Sequence, residues 1–238
     1  MFGMDTTTII PYVLYVAKKV IDQDEKNNIF RYFEAYLVRR IICKKTSKNY
    51  NQLFRSFINN EIDTLEKIKE IIEKKEEKIN SMPSDNDVEE GFRVSDLVNK
   101  QSKGVLYLIE RSIRNDLHAT ELKYFNEYSL EHVMPKKWRN NWDGNNLTDN
   151  QREQRNKLVL TLGNLTIITK RLNSSIRNSD WVVKKNGNKR NRGLNEYAQG
   201  IEIFSKYLQK ENWNEDSIIE RGQELFKYSV NNVWNLDF

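Results

Sequence analysis

The chain has 238 residues, 38% hydrophobic and 31% charged, with five tryptophans, ten phenylalanines and a formal net charge of +5. That much apolar and aromatic material excludes a disordered chain, and three prolines with nine glycines favour long helices over a turn-rich β-sandwich. A single cysteine, Cys43, excludes an intramolecular disulfide and a thiolate-rich zinc site, and fits the reducing cytosol, so a cytoplasmic location is expected.

The opening MFGMD places two methionines close together and reads as a start set on part of something longer, so the chain is expected to be the C-terminal portion of a larger protein. The apolar run IIPYVLYVAKKVI, residues 9–21, is interrupted by Pro11 and the Lys18–Lys19 pair. It falls short of the ~20 apolar residues of a membrane span. Its basic residues also follow the apolar run instead of preceding it, unlike a signal peptide. It predicts a buried amphipathic helix and no membrane partner.

Ile29, Tyr32, Phe33, Tyr36, Leu37 and Ile41 recur at helical spacing and predict a second helix, with Arg39 falling between them. Ile62, Leu65, Ile68, Ile72 and Ile79 form the stripe of another long helix, whose other faces carry opposite charges three or four residues apart. NSMPSDNDVEE, residues 80–90, lacks periodicity and reads as a loop or subdomain boundary. Helix returns in KGVLYLIERSIRN, where Glu110 and Arg111 read as a solvated face, and His118 in NDLHATE reads as a loop residue.

From Leu122 the pattern changes. LKYFNEYSLEHVM alternates as a strand approaching a turn would, and LVLTLGNLTIIT, residues 158–169, is a β-branched run with a turn or bulge at Gly163–Asn164. The last segment predicts a helix between Trp213 and Trp234, which anchor it in the core. Asn214 is its N-cap, and Ile218, Ile219, Leu225, Phe226, Val230 and Val233 face inward.

Charge is unevenly spread. Residues 1–130 carry 21 Lys+Arg against 21 Asp+Glu, residues 131–200 carry 14 against 6 (net +8), and residues 201–238 carry 4 against 7 (net −3). The positive excess therefore begins at Glu131, and such a footprint suits a phosphate backbone.

Only two histidines occur in the chain, and one of them, His132, follows Glu131 just before Pro135. Phosphodiester hydrolysis needs a base that titrates near neutrality, which imidazole does, and a hard cation held by carboxylate and amide oxygens. Glu131 beside His132 supplies one oxygen ligand next to one base. Asn173 or Asn178, in a stretch with Lys170, Arg171 and Arg177, supplies a second ligand. The Asn164 amide is placed to bridge backbone groups and hold the loop that carries His132.

These stretches, LEHVMP followed by LGNLTIITKRLNSSIRN, resemble the His-Asn-Asn form of the HNH, or ββα-metal, nucleases. More narrowly they resemble the C-terminal nuclease domain of GmrSD-type, modification-dependent restriction enzymes. FRYFEAYLVRRIIC and YNQLF upstream, and ENWNEDSIIERGQELFKYSVNNVW downstream, look like the helices that flank the nuclease core there.

The resemblance implies an α+β, predominantly α-helical fold with a ββα-metal core at 121–200, a helical N-terminal subdomain at 1–120, and C-terminal helices at 201–238. It implies that His132 is the general base, that Glu131 and Asn173 (or Asn178) ligate the metal, and that Asn164 organises the fold around it. The cofactor implied is Mg²⁺ or Mn²⁺. The long connection from His132 to Asn164, which holds Trp138 and Trp142, is then an insertion packed outside the site. Lys170, Arg171, Arg177, Lys184 and Lys185 are the expected phosphate contacts. The implied partners are modified phage DNA and a separate N-terminal nucleotide-hydrolysing, modification-sensing domain. Two other classes stay open, a nucleic-acid-binding module without turnover and a helical protein-interaction scaffold.

Overall fold

The computed structural model describes residues 4, 6–74, 79–117, 122–142, 147–189, 192–197 and 201–237. Four helices come first: α1 (Ile10–Lys19), α2 (Gln23–Ile42), α3 (Tyr50–Asn59) and α4 (Leu65–Glu73). Then follow α5 (Asp85–Val94), α6 (Asn99–Asp116), β1 (Tyr128–His132), α7 (Asp149–Leu158), β2 (Leu165–Thr169), α8 (Lys170–Ile176) and α9 (Trp181–Asn186). Short helices α10 (Leu194–Tyr197) and α11 (Glu202–Ser205) lead to α12 (Glu215–Tyr228). The fold is α+β and predominantly helical, with one two-stranded antiparallel sheet among the described residues. None of the described helices is long and apolar enough to cross a membrane.

Two apolar cores organise these elements. The first is aromatic: Tyr12 from α1 meets Phe33 from α2 edge-on with ring centroids 5.4 Å apart, and Phe33 meets Phe54 from α3 at 5.7 Å. Each such ring contributes about 1.5–3 kcal/mol by leaving water. The second core is built around the hairpin and includes Phe92, Val105, Leu106, Ile109, Ile167, Ile168 and Trp213. Helix α2 serves both cores, giving Phe33 and Tyr36 to the first and Ala35, Val38 and Ile42 to the second.

Local signals explain where several elements begin. Asp22 caps α2 by accepting from Glu25 N at 2.7 Å. Ser84 and Asp87 form a reciprocal capping box that starts α5, so the expected loop at 80–90 is helical from Asp85 onward. Asn214 caps α12 as its sequence position predicts, accepting from Ser217 N at 3.0 Å. Within α12, Ile219 is 37% exposed and does not face inward. The stripe expected from Ile62 to Ile79 is helical over α4 only, Ile79 lies in a turn, and the intervening 75–78, like His118, lie outside the described residues.

Several charged side chains are buried where a solvated face is the expectation. Glu110 is fully enclosed and accepts from Arg114 Nε at 2.6 Å and from the amides of Glu202 and Ile203, tying α6 to α11. Arg39 donates to the Trp234 carbonyl at 3.1 and 2.8 Å, to the Pro83 carbonyl at 3.2 Å and to Asp85 at 2.6 Å. A buried cation is tolerated only when its donors are met in this way.

Candidate functional site

Strands β1 and β2 pair in register from Tyr128 opposite Thr169 to His132 opposite Leu165. The chain then passes straight into α8, whose first turn is capped by the Thr169 hydroxyl. The unit is strand, long connection, strand, helix. His132 stands at the end of β1 and Asn173 on the middle turn of α8.

Asn164 sits in the short 3-10 turn at Leu162–Asn164 that leads into β2. Its Oδ1 accepts from Met134 N at 2.9 Å and from Trp213 Nε1 at 3.0 Å. Its Nδ2 donates to the carbonyls of Met134 at 2.8 Å and Val159 at 2.9 Å. The side chain is fully buried and all four of its hydrogen-bonding directions are used. It therefore ties the backbone just after His132 to the Val159 carbonyl and the Trp213 indole, and no polar atom of its side chain is left for a substrate. Arg221 of α12 steadies the same turn from below, with Nη1 donating to the carbonyls of Leu162, Gly163 and Leu165 at 3.1, 2.8 and 2.7 Å. Burial pushes the Arg221 guanidinium down and Glu110 opposes that shift.

An open hollow of about 420 Å³ lies beside this unit, and it is where the predicted residues meet. His132, Glu131, Asn173, Asn178 and Arg177 all line it, together with Lys136 and Lys137. Asn173 donates both amide protons inward, to Ser129 Oγ at 3.0 Å and to the Leu130 carbonyl at 2.8 Å. A carbonyl can only accept, so this fixes the amide with Oδ1 as its remaining ligand atom. Asn178 is exposed at the rim, and its carbonyl accepts from Asn141 Nδ2 at 2.7 Å.

Among the described residues no hydrogen-bond partner meets the His132 imidazole. Burial, then the cations of Lys136 and Lys184, push it down from 6.5 to about 4, so it is neutral at physiological pH and holds an open lone pair. Glu131 is buried, and its Oε1 accepts from the Lys184 ammonium, which also donates to the His132 carbonyl at 2.6 Å. Burial pushes the Glu131 carboxyl up and the Lys184 ammonium down, and each group's charge opposes the shift of the other.

The expected phosphate contacts separate under this geometry. Arg177 lines the hollow. Lys170 and Arg171 are exposed at the start of α8 but do not line it. Lys184 is fully buried with its ammonium committed, so the expectation that it meets a phosphate is corrected. Lys185 donates to the Lys210 carbonyl at 3.1 Å and stands 5.8 Å from the Trp181 ring, away from the hollow. Lys136 and Lys137 were not among the expected contacts, although PKKW directly follows the histidine motif; both are exposed, and among the described residues neither makes an ion pair.

Only the start of the connection between the strands, Pro135 to Lys137, lines the hollow; Trp138, Trp142 and α7 do not. Trp138 is fully buried, Trp142 Nε1 donates to the Ser179 carbonyl at 2.8 Å, and Pro135 lines the hollow. The Arg177 backbone, at φ 37 and ψ −128, is in a region that side chains other than glycine rarely enter.

The hollow's donor set is one of hard oxygens: a Glu131 carboxylate with one oxygen engaged by Lys184, the Asn173 Oδ1 and the Asn178 amide. Such donors suit Mg²⁺ or Mn²⁺, which take carboxylate, amide and water oxygens. They do not suit a soft-metal cage, and no group of three or more His, Cys, Asp or Glu that could hold a metal occurs among the described residues.

The family model described as the C-terminal domain of GmrSD restriction endonucleases matches residues 82–228, a span that includes the whole hollow. The class is that of a restriction endonuclease domain, a nuclease with DNA as its substrate. The chain belongs to the GmrSD C-terminal domain family. A comparison with curated proteins finds no match.

Proposed function

We propose that this domain is an HNH-type, ββα-metal DNA endonuclease that depends on a divalent cation, Mg²⁺ or Mn²⁺. One observation supports the reading: His132, whose imidazole is neutral, and Asn173, whose Nδ2 is committed so that Oδ1 is its remaining polar atom, are distant in the chain yet line the same hollow. His132 takes a proton from the attacking water, which requires the unprotonated imidazole favoured by its surroundings. Glu131 and Asn173 hold the cation, with Asn178 as the second candidate on the same rim. A bound divalent cation supplies charge neutralisation at the scissile phosphate and at the leaving 3′ oxygen. Arg177, Lys136 and Lys137 border the hollow and clamp the phosphates on either side of the cut. Lys170 and Arg171 extend the basic track along α8.

The biological setting we infer is phage defence by restriction of modified DNA in the cytoplasm, with modification sensing and nucleotide hydrolysis supplied by an N-terminal domain or a partner subunit. The test is plasmid nicking with Mg²⁺ or Mn²⁺, comparing the wild type with His132→Ala. Cleavage lost in the variant with DNA binding retained supports the enzyme. DNA binding without cleavage under either metal means a binding module, and neither activity means an interaction scaffold.

A further inference from the structure

Lys184 is the buried charge that the proposed chemistry leaves unexplained. It lies on α9, is fully enclosed, and gives its ammonium to two consecutive residues of β1, the Glu131 carboxylate and the His132 carbonyl. A single donor that grips the side chain of one residue and the main chain of the next fixes both at once. Its platform is itself tied down. Asp180 caps α9 by accepting from Val183 N at 2.9 Å, and Trp181 Nε1 donates to the Lys210 carbonyl at 3.1 Å. The Trp181 ring lies 5.8 Å from that of Trp213, whose indole holds Asn164. A buried ion pair adds less stability than apolar side chains of similar volume would, so stability alone gives no reason for an ammonium here.

We propose that Lys184 is a positioning residue of the nuclease, an internal cation that holds the Glu131 carboxylate and the His132 main chain in fixed relation beneath the hollow. This rests on the reading of the site as a nuclease and names a residue on which that site depends. Lys184 does not touch DNA. Its influence runs through Glu131 and the end of β1.

The experiment uses Lys184→Met, Glu131→Gln and the double variant in the full chain, each assayed well below its own Tm. In metal-free protein labelled with carbonyl ¹³C histidine, the His132 signal, assigned with His132→Ala, moves in Lys184→Met. Single-turnover cleavage at saturating DNA and metal falls about 10–100-fold, the loss seen when a partner behind a metal-holding side chain is removed. DNA affinity without metal stays within about twofold, because the ammonium is sealed from solvent. Lys184→Met added to Glu131→Gln costs nothing further.

An unmoved carbonyl signal, a wild-type cleavage rate, or losses that multiply in the double variant would each overturn the proposal. If Lys184→Met does not fold, the double variant, which buries no unpaired charge, is compared with Glu131→Gln alone. Equal rates support the proposal and a slower double variant overturns it. A wild type that cuts under neither metal overturns the nuclease reading itself and takes this proposal with it, whereas failure of the proposal alone shows in a wild type that cuts.

Discussion

The Trp213 indole donates to Asn164 Oδ1 at 3.0 Å, so a tryptophan just ahead of the last long helix holds the amide that shapes the loop after His132. Trp213→Phe keeps the ring packing and removes this one bond while Met134 N still satisfies the oxygen, so it should cost about 1 kcal/mol. Asn164→Ala leaves two carbonyls, one amide and one indole without partners. At about 1–3 kcal/mol for each orphaned group, its loss should exceed 3 kcal/mol. Urea midpoints of the two variants check the order, and equal midpoints would show that the amide network is not what holds the turn.

Gly163 has no room for a methyl group. A Cβ there would stand 2.2 Å from the Ile218 carbonyl of α12, an atom of helix backbone that cannot swing aside. Gly163→Ala should therefore lower stability by about 1–3 kcal/mol through overpacking. Gly222, across the same contact, would meet nothing closer than 3.8 Å and lies inside α12. Gly222→Ala should be neutral or stabilising by up to about 1 kcal/mol. Thermal melts of both proteins give the contrast, and a reversed order would mean that α12 and the turn are not packed this closely.

Arg177 combines an unfavourable backbone with a place on the rim of the hollow. Removing the Cβ relieves that strain, worth roughly 1–3 kcal/mol, at the expense of a cation at the rim of the hollow. Arg177→Gly should melt at a higher temperature than Arg177→Ala, and both should bind duplex DNA more weakly than the wild type at low salt. If glycine gives no stability gain over alanine, the backbone is unstrained. Undiminished DNA binding would remove Arg177 from the interface.

With His132 as the proposed base, the acid limb of the cleavage profile should report on its titration. Its conjugate acid is pushed down to about 4, and catalysis by a base needs the unprotonated form, so the active fraction rises with pH through about 4 and is complete by neutrality. Single-turnover rates at saturating metal should be flat from about pH 6 to about pH 8. A limb centred near the ordinary 6.5 would show an imidazole as solvated as in a free peptide.

Periodicity and capping made much of this architecture legible in the sequence. The stripe from Ile29 to Leu37 packs as spaced, Asn214 begins α12, and the alternation around Leu130 and the β-branched run at Thr166–Thr169 form the hairpin. The meeting of His132 with Asn173 at one hollow is what the resemblance to the HNH nucleases implied; periodicity alone does not bring together two residues separated by the long connection between the strands. Helix α7 escaped because DNQREQRNKL lacks an apolar stripe; its only signal was the Thr148–Gln151 capping box. Buried charge was the least legible feature. Lys184, Glu110, Arg39 and Arg221 belong to residue types that face water by default, and only the fold reveals the carbonyls and carboxylates around the cations and the N–H donors around Glu110 that let them lie inside. Lys184 is therefore expected at the DNA, whereas Lys136 and Lys137, which directly follow the histidine motif and are not among the expected contacts, line the hollow.

The Arg39 guanidinium bridges three stretches of chain, donating to the carbonyls of Trp234 and Pro83 and to the Asp85 carboxylate. It works as an internal rivet between the leading helices and the tail. Separating α2 from the tail would break both bonds to the Trp234 carbonyl and leave a buried guanidinium without them. Proteolytic nicking near residue 80 should accordingly leave two fragments that migrate together under native conditions and part only in denaturant.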